Sequence, residues 1–238
     1  SNVERLEGAP PQAADAASVP ELQFGDVLTR EEFERRYDAM PGLKKAELLE
    51  GMVYMPSPVR HNQHAKPQGI ILGWLFTYWA ATPGVEASDN PSLRLDLKNE
   101  PQPDACLFIL PECGGLASLD KQGYLAGPPE LLIEVSASSA AYDLHVKKHV
   151  YLKAGVREYL VWRVEDEALD WYVLSKGEYQ ILKPDNKGVI KGETFPGLWL
   201  DAAALLKGEV AGILKVLQAG LVSNEHAAFV KKLAKAKY

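Results

Sequence analysis

The chain carries at residues 128–156 the segment PPELLIEVSASSAAYDLHVKKHVYLKAGV, in which a short apolar run leads into a helical pattern. The apolar run at residues 131–135 is bounded by proline and serine, which is typical of a strand covered on both faces. A helix is predicted from about Ser138 to Ala154, since Gly155 just past the last apolar position is a common helix stop. The pattern predicts a buried strand that enters a helix.

Glu134 lies in the middle of this predicted strand. A buried carboxylate without a partner is strongly penalised and tends to take up a proton, so Glu134 is expected to have a cation beside it. A metal ion and a lysine are both candidates. The helical spacing of Asp143, Lys147 and Tyr151, at i, i+4 and i+8, places these three side chains on one side of the helix. Lys147 is therefore one possible partner.

Composition restricts the class of protein and the kinds of site it can carry. The 238 residues are 47% hydrophobic and 24% charged, as in a globular chain with one substantial core. The net charge of −6 provides no overall basic field for nucleic acid, so any phosphate-binding surface must be local. Cys106 and Cys113 lack ligand-spaced partners, which argues against zinc and favours a reducing, cytoplasmic location. No signal peptide or membrane span is predicted.

The order of predicted elements is that of an α/β protein. Residues 1–25 are predicted to be a disordered lead-in, residues 26–200 one domain, and residues 201–238 a C-terminal helical extension. The predicted elements are a short helix from Thr29, a hairpin at 46–55, a long helix at 60–81, strands at 92–97, 104–110, 158–164, 169–174 and 178–182, and helices at 201–219 and 224–237.

The residues with candidate chemistry are Glu47, Asp104, Glu134 and Lys147. If Asp104 begins one central strand and Glu134 lies inside the next, the two backbones are about 5 Å apart. Two carboxylates in a semi-buried cleft suit Mg²⁺, which takes one or two of them together with waters and substrate phosphate. Glu47 could hold the far side of the ion. A lysine close by could stabilise charge on a phosphoryl group or position the attacking water.

Five segments resemble, in order, the Uma-type endonucleases of the PD-(D/E)XK, or restriction-endonuclease-like, superfamily. They are ELLEG at 47–51, PD at 103–104, PELLIEVS at 129–136, DLHVK at 143–147 and YLKAGVREY at 151–159. The resemblance runs from roughly residue 28 to 200. It implies a mixed central sheet flanked by helices, a divalent ion (Mg²⁺ or Mn²⁺) held by Asp104 and Glu134, and hydrolysis of DNA phosphodiester bonds.

The sequence departs from the usual pattern at several positions. Ser136 stands where the superfamily usually has a lysine two residues after the glutamate. The Uma-type group has a lysine on the following helix instead, which assigns that role to Lys147, with Lys148 as a minor alternative. His61, Ser136 and Asp143 are expected to contact the substrate or to support the site, Asp143 by orienting Lys147. Further departures are SASS at 136–139, Leu160 and Arg163.

Two other classes of function stay open beside a metal-dependent endonuclease. One is a catalytically inactive relative that binds nucleic acid or a protein partner. The other is a structural oligomeric protein whose acidic cluster is a salt-bridge network with Lys147. A homodimer is expected, because the predicted C-terminal helices are amphipathic and duplex-cutting enzymes of this superfamily commonly pair two sites.

Overall fold

The computed structural model describes residues 18–55, 61–137 and 142–237, without the side chains of residues 61, 63, 142 and 143. Most of the predicted lead-in therefore lies outside the described residues, although Leu22 within it is buried. The helices are α1 (Arg30–Asp38), α2 (Lys66–Ala80), α3 (Tyr142–Ala154), α4 (Ala202–Lys207), α5 (Val210–Leu221) and α6 (Asn224–Ala236). A π-helical turn, His61–Ala65, precedes α2, and a 3₁₀ turn spans Pro111–Cys113.

The strands fall into one large sheet and three small ones within the described residues. They are β1 (Glu47–Leu49), β2 (Met52–Tyr54), β3 (Val85–Asp89), β4 (Leu93–Arg94), β5 (Ala105–Ile109), β6 (Ser118–Leu119), β7 (Leu125–Ala126), β8 (Leu131–Ser136), β9 (Glu158–Arg163), β10 (Ala168–Ser175), β11 (Glu178–Ile181), β12 (Val189–Lys191) and β13 (Trp199–Asp201). The large sheet has the order β11-β10-β9-β8-β5-β3. Only its β8–β9 pair is parallel, so the predicted mixed central sheet is confirmed.

β8 is covered on both faces, as its apolar run predicts. Successive side chains of a strand point to opposite faces. On one face, Leu131, Ile133 and Val135 pack into the core formed with α2 and the C-terminal helices. Leu132 joins the core under α3, and Glu134 points to that same side. The strand therefore presents its one charged residue to α3.

The hairpin and the helices near the site agree with the sequence pattern. β1 and β2 are joined by Glu50 and Gly51, which both have positive φ (52° and 82°), as a two-residue hairpin turn requires. Pro67 lies in the first turn of α2, where its missing N–H costs no helical hydrogen bond. α3 ends at Ala154, and Gly155, which follows it, has a positive φ of 79°. The predicted start of this helix at Ser138 lies outside the described residues.

Several boundaries differ from the prediction. The helix expected at 201–219 is two helices, because Gly208 adopts a left-handed conformation (φ 68°) between α4 and α5. The strand expected at 92–97 is reduced to β4, since Asp96 forms a tight turn with Asn99. β3 was not predicted, although it forms an edge of the large sheet.

The C-terminal helices pack against the sheet and α2. Ile213, Leu217, Phe229 and Leu233 belong to the same buried cluster as the residues of α2. His226 Nε2 lies 2.8 Å from the hydroxyl of Thr82, just after α2. These helices therefore complete one side of the core.

No helix in the described part of the chain is long and apolar enough to cross a membrane. Both cysteines, Cys106 and Cys113, are free thiols in buried positions.

Candidate functional site

Three carboxylates and two lysines meet between the large sheet and α3. We call Lys45, Glu47, Asp104, Glu134 and Lys147 the charge cluster. Each of its carboxylates is almost completely buried. The sheet register places two of them side by side: β5 pairs antiparallel with β8, and Asp104 immediately precedes β5 on the side facing α3.

Lys147 is the cation that the buried Glu134 requires. Its Nζ lies 3.0 Å from Glu134 Oε2 and 2.8 Å from Glu47 Oε1. The lysine side chain is only 2% exposed, so these interactions are strengthened by the low local dielectric. Lys147 thereby links β1 and β8 through α3.

The other oxygen of Glu134 accepts a hydrogen bond of 2.8 Å from the hydroxyl of Tyr151. Burial raises the pKa of the Glu134 carboxyl, and Lys147 opposes that rise by favouring the charged form. The negative charge of Asp104 raises the pKa further. Burial, together with Glu134, also raises the pKa of Tyr151, which therefore remains a hydrogen-bond donor.

Asp104 is held by three donors. Its Oδ2 accepts from the backbone N–H of Val135 at 2.7 Å, and its Oδ1 lies 3.2 Å from both Lys45 Nζ and His64 Nε2. Burial acts to raise the pKa of Asp104, but the hydrogen bond from His64 and the charge of Lys45 outweigh it, so the pKa is lowered. Asp104 therefore carries a negative charge.

Glu47 is oriented from the backbone of a neighbouring segment. Its Oε1 accepts a hydrogen bond of 2.7 Å from the N–H of Gln102. The following residue, Leu48, exchanges two backbone hydrogen bonds with Glu100, at 3.1 and 2.8 Å. β1 is thus fixed relative to the segment that leads into Asp104.

The four residues with predicted chemistry, Glu47, Asp104, Glu134 and Lys147, therefore come together in one place. Ser136 lies at the end of β8, two residues beyond Glu134. The side chains of His61 and Asp143 lie outside the described residues.

Sequence reasoning missed the contacts of Lys45, His64 and Tyr151. Lys45 precedes Glu47 by two residues, and strand alternation could have placed both side chains on one face. Tyr151 was placed on the same side of the helix as Lys147, but its hydrogen bond to Glu134 was not predicted. His64 lies one helical turn after His61, and nothing in the sequence indicated which of the two histidines contacts Asp104.

The charge cluster contains carboxylates, the type of side chain that binds hard divalent ions. Among the residues that the structure describes, no group of three or more His, Cys, Asp or Glu side chains could hold a metal. Mg²⁺ commonly uses only one or two protein carboxylates and completes its shell with water and phosphate. Asp104 and Glu134 offer carboxylate oxygens on adjacent strands, and the two ammonium groups beside them show that the cluster stabilises positive charge.

Comparison with known proteins gives a family and a fold. The family model Uma2, described as "Putative restriction endonuclease", matches residues 30–203. One solved structure is described as a putative nuclease belonging to DUF820 from Anabaena variabilis ATCC 29413. It matches with a TM-score of 0.59 and 16% sequence identity, over 76% of this chain and 98% of that chain. At that identity the likeness shows the fold alone, a restriction-endonuclease-like one. No curated protein matches the chain.

Proposed function

The chain belongs to the Uma2 family, and from that premise we propose that it is a divalent-metal-dependent endonuclease that hydrolyses DNA phosphodiester bonds. One observation carries the proposal. Glu47, Asp104 and Glu134 come from three separate segments of the chain and are all buried: Glu47 and Glu134 meet at Lys147, and Asp104 lies beside Glu134 on the neighbouring strand. Burying three carboxylates together is costly for stability, and such an arrangement is more often kept for chemistry than for folding.

Asp104 and Glu134 would hold the ion, Mg²⁺ or Mn²⁺, with Glu47 on its far side. When bound, the ion would make a water molecule more acidic and polarise the phosphoryl oxygens. The chain's own residues supply orientation. Val135 N–H and His64 fix the two oxygens of Asp104, and Tyr151 fixes one oxygen of Glu134.

Lys147 forms ion pairs with both Glu47 and Glu134 and holds the two side chains close together. The fixed positive charge of Lys147 also lowers the energy of negative charge on a nearby phosphoryl group through space, without contacting it. Lys148 points elsewhere: its Nζ lies 3.9 Å from the ring centroid of Tyr172. This contact supports Lys147, rather than Lys148, as the lysine of the site.

We propose a homodimer, because two sites would be needed to cut both strands of a duplex in one encounter. The apolar residues of α5 and α6 that motivated this prediction are largely buried in the chain's own core. Exposed aromatic side chains remain on α2, at Phe76 and Trp79. Light scattering at micromolar concentration that shows a monomer would remove the proposal.

The direct test is cleavage of plasmid and oligonucleotide DNA with Mg²⁺, with Mn²⁺ and with EDTA. Cleavage is expected with either ion and is expected to stop in EDTA. Asp104→Asn should abolish it, while Asp38→Asn, which changes an exposed residue of α1, should not. An active Asp104→Asn protein, or activity that persists in EDTA, would contradict the proposal.

A second candidate is a catalytically inactive relative that binds nucleic acid or a protein partner. One observation favours it: every carboxylate of the charge cluster already has an ammonium partner, Lys147 for Glu47 and Glu134, and Lys45 for Asp104. Such a protein would bind DNA or a partner without cleaving DNA under any divalent ion. The same cleavage assay, accompanied by a binding measurement in EDTA, separates the two functions.

A further inference from the structure

The charge cluster has a buried side and a side that faces solvent. Lys147 and Glu47 are each 2% exposed in their side chains. Lys45 is 19% exposed and His64 is 24% exposed, and both contact Asp104. Asp104 therefore lies between the interior of the cluster and the solvent.

A substrate phosphate approaches from solvent and meets the outer groups first. Lys147 is enclosed by two carboxylates, so a phosphate could reach its ammonium only by displacing a negative charge. Lys45 has a single carboxylate within ion-pair distance among the described residues, Asp104 at 3.2 Å. An ammonium group has three donor protons, so Lys45 can bind an incoming anion and keep its bond to Asp104.

Asp104 does not depend on Lys45 alone for its orientation. His64 Nε2 binds the same oxygen, Oδ1, and Val135 N–H binds the other. The carboxylate therefore stays in place when Lys45 turns toward another partner. This separates a role of Lys45 toward substrate from a role in holding Asp104.

We propose that Lys45 is the cation that contacts the substrate phosphate, and that Lys147 serves as the interior counter-ion of Glu47 and Glu134. The inference rests on the proposed endonuclease function and adds a substrate-contacting residue to it. The ammonium of Lys45 binds a non-bridging phosphate oxygen beside Asp104. It stabilises the negative charge that increases there when the attacking oxygen adds.

The test compares Lys45→Ala, Lys45→Gln and Lys45→Arg with the matched control Lys44→Ala. Lys44 is the neighbouring residue, and its exposed side chain carries the same charge. Cleavage is measured with Mn²⁺, and duplex binding is measured in EDTA as a function of salt concentration. Thermal unfolding of each variant reports whether it folds.

Lys45→Ala and Lys45→Gln should each cleave roughly a hundredfold more slowly than the wild type. In EDTA, the plot of the logarithm of the DNA-binding constant against the logarithm of salt concentration should become less steep by about 0.9. That change corresponds to the loss of one phosphate contact. Lys45→Arg should keep the wild-type slope, because it keeps the charge. Lys44→Ala should cleave like the wild type. If Lys45→Ala does not fold, the comparison uses Lys45→Gln instead, because the glutamine amide can still donate a hydrogen bond to Asp104.

Lys45→Gln that cleaves and binds like the wild type would overturn the inference and leave the proposed function standing. If Lys44→Ala lost as much cleavage activity as Lys45→Ala, the inference would also be overturned. The loss would then reflect general electrostatic attraction of DNA and not a contact made by Lys45. A wild-type protein that cleaves no DNA with any divalent ion would contradict the proposed function and, with it, the catalytic role of Lys45.

Discussion

The buried position of Lys147 determines what its removal should do. A lysine at the surface can be replaced by alanine at little cost, but Lys147 is the ion-pair partner of two buried carboxyl groups. Taking away one partner of a buried ion pair leaves an uncompensated charge in a medium of low dielectric. The residue therefore contributes to stability as well as to the proposed site.

Lys147→Ala should lower the free energy of unfolding by about 3–5 kcal/mol. Urea denaturation monitored by circular dichroism measures this change. The matched control is Lys148→Ala, which removes the contact with the ring of Tyr172 and should cost less than about 1 kcal/mol. Equal effects of the two substitutions would mean that the register of α3 against the site is wrong.

The buried carboxyl group of Glu100 should make the stability of the protein depend on pH. Glu100 is 2% exposed, and its Oε2 is buried with no hydrogen-bond partner among the described residues. Burial, assisted by the negative charge of Glu34, raises the pKa of Glu100 to about 8. The folded state therefore binds this proton more tightly than the unfolded state, and the stabilisation is lost as the pH rises from the ordinary carboxyl range through about 8.

The unfolding free energy of the wild type should fall between pH 6 and pH 9 more steeply than that of Glu100→Gln. Denaturant titrations at several pH values measure the difference. Glu31→Gln, a change of an exposed residue on α1, should leave the wild-type slope unaltered. A Glu100→Gln protein with the wild-type pH profile would show that Glu100 does not hold the proton.

At the scale of elements, the C-terminal helices are fixed by a close backbone contact. A Cβ added at Gly220 in α5 would clash with the carbonyl oxygen of Gly197, in the turn before β13. A Cβ added at Gly73 in α2 would meet nothing within 4 Å. Both glycines are helical, so they form a matched pair in which only the packing differs.

Gly220→Ala should destabilise the protein by about 1–3 kcal/mol, because backbone atoms must move apart. Gly73→Ala should be neutral or stabilising by up to about 1 kcal/mol, through helix propensity. Thermal unfolding distinguishes the two. A Gly220→Ala protein as stable as the wild type would show that α5 is not held against this turn.

The sequence predicted elements where the pattern was strong. β8 was recognisable from its apolar run, and the α1 N-cap at Thr29 from its hydroxyl followed by acidic residues; the Thr29 hydroxyl accepts a hydrogen bond from Glu32 N–H. β3 was missed, because it is a short edge strand with three polar, exposed or half-buried side chains. The break at Gly208 was missed, since α4 and α5 share one amphipathic pattern across it.

The site residues that could be predicted from the sequence are those that lie in the family motifs. Glu47, Asp104, Glu134 and Lys147 match motif positions, and the structure brings them together. The contacts of Lys45 with Asp104 span 59 residues of sequence and depend on the position of the hairpin. Local pattern carries no information about such a distance, so only the folded structure reveals it.

At the scale of the whole molecule, the family match ends at residue 203, but the hydrophobic core also includes residues beyond that point. Four side chains of α5 and α6 lie in the main buried cluster: Ile213, Leu217, Phe229 and Leu233. Burying a large apolar side chain contributes about 1.5–3 kcal/mol, so these four are comparable to the entire stability of a typical domain.

A chain that ends at Lys207 should therefore show no cooperative unfolding transition and should expose apolar surface. Differential scanning calorimetry and binding of a hydrophobic dye measure both properties. Full-length Lys231→Ala, which changes an exposed residue of α6, serves as the control and should unfold like the wild type. A shortened chain with a wild-type transition would show that residues 208–238 are dispensable for the fold.

The central claim, that Asp104 helps to hold a divalent ion, is tested most directly by a calorimetric titration of Mn²⁺ into the wild type and Asp104→Asn. The substituted side chain keeps an oxygen that can accept from Val135 N–H, so the fold should survive while the charge is lost. We expect saturable Mn²⁺ binding to the wild type and none to Asp104→Asn. Equal Mn²⁺ affinity in both proteins would contradict it.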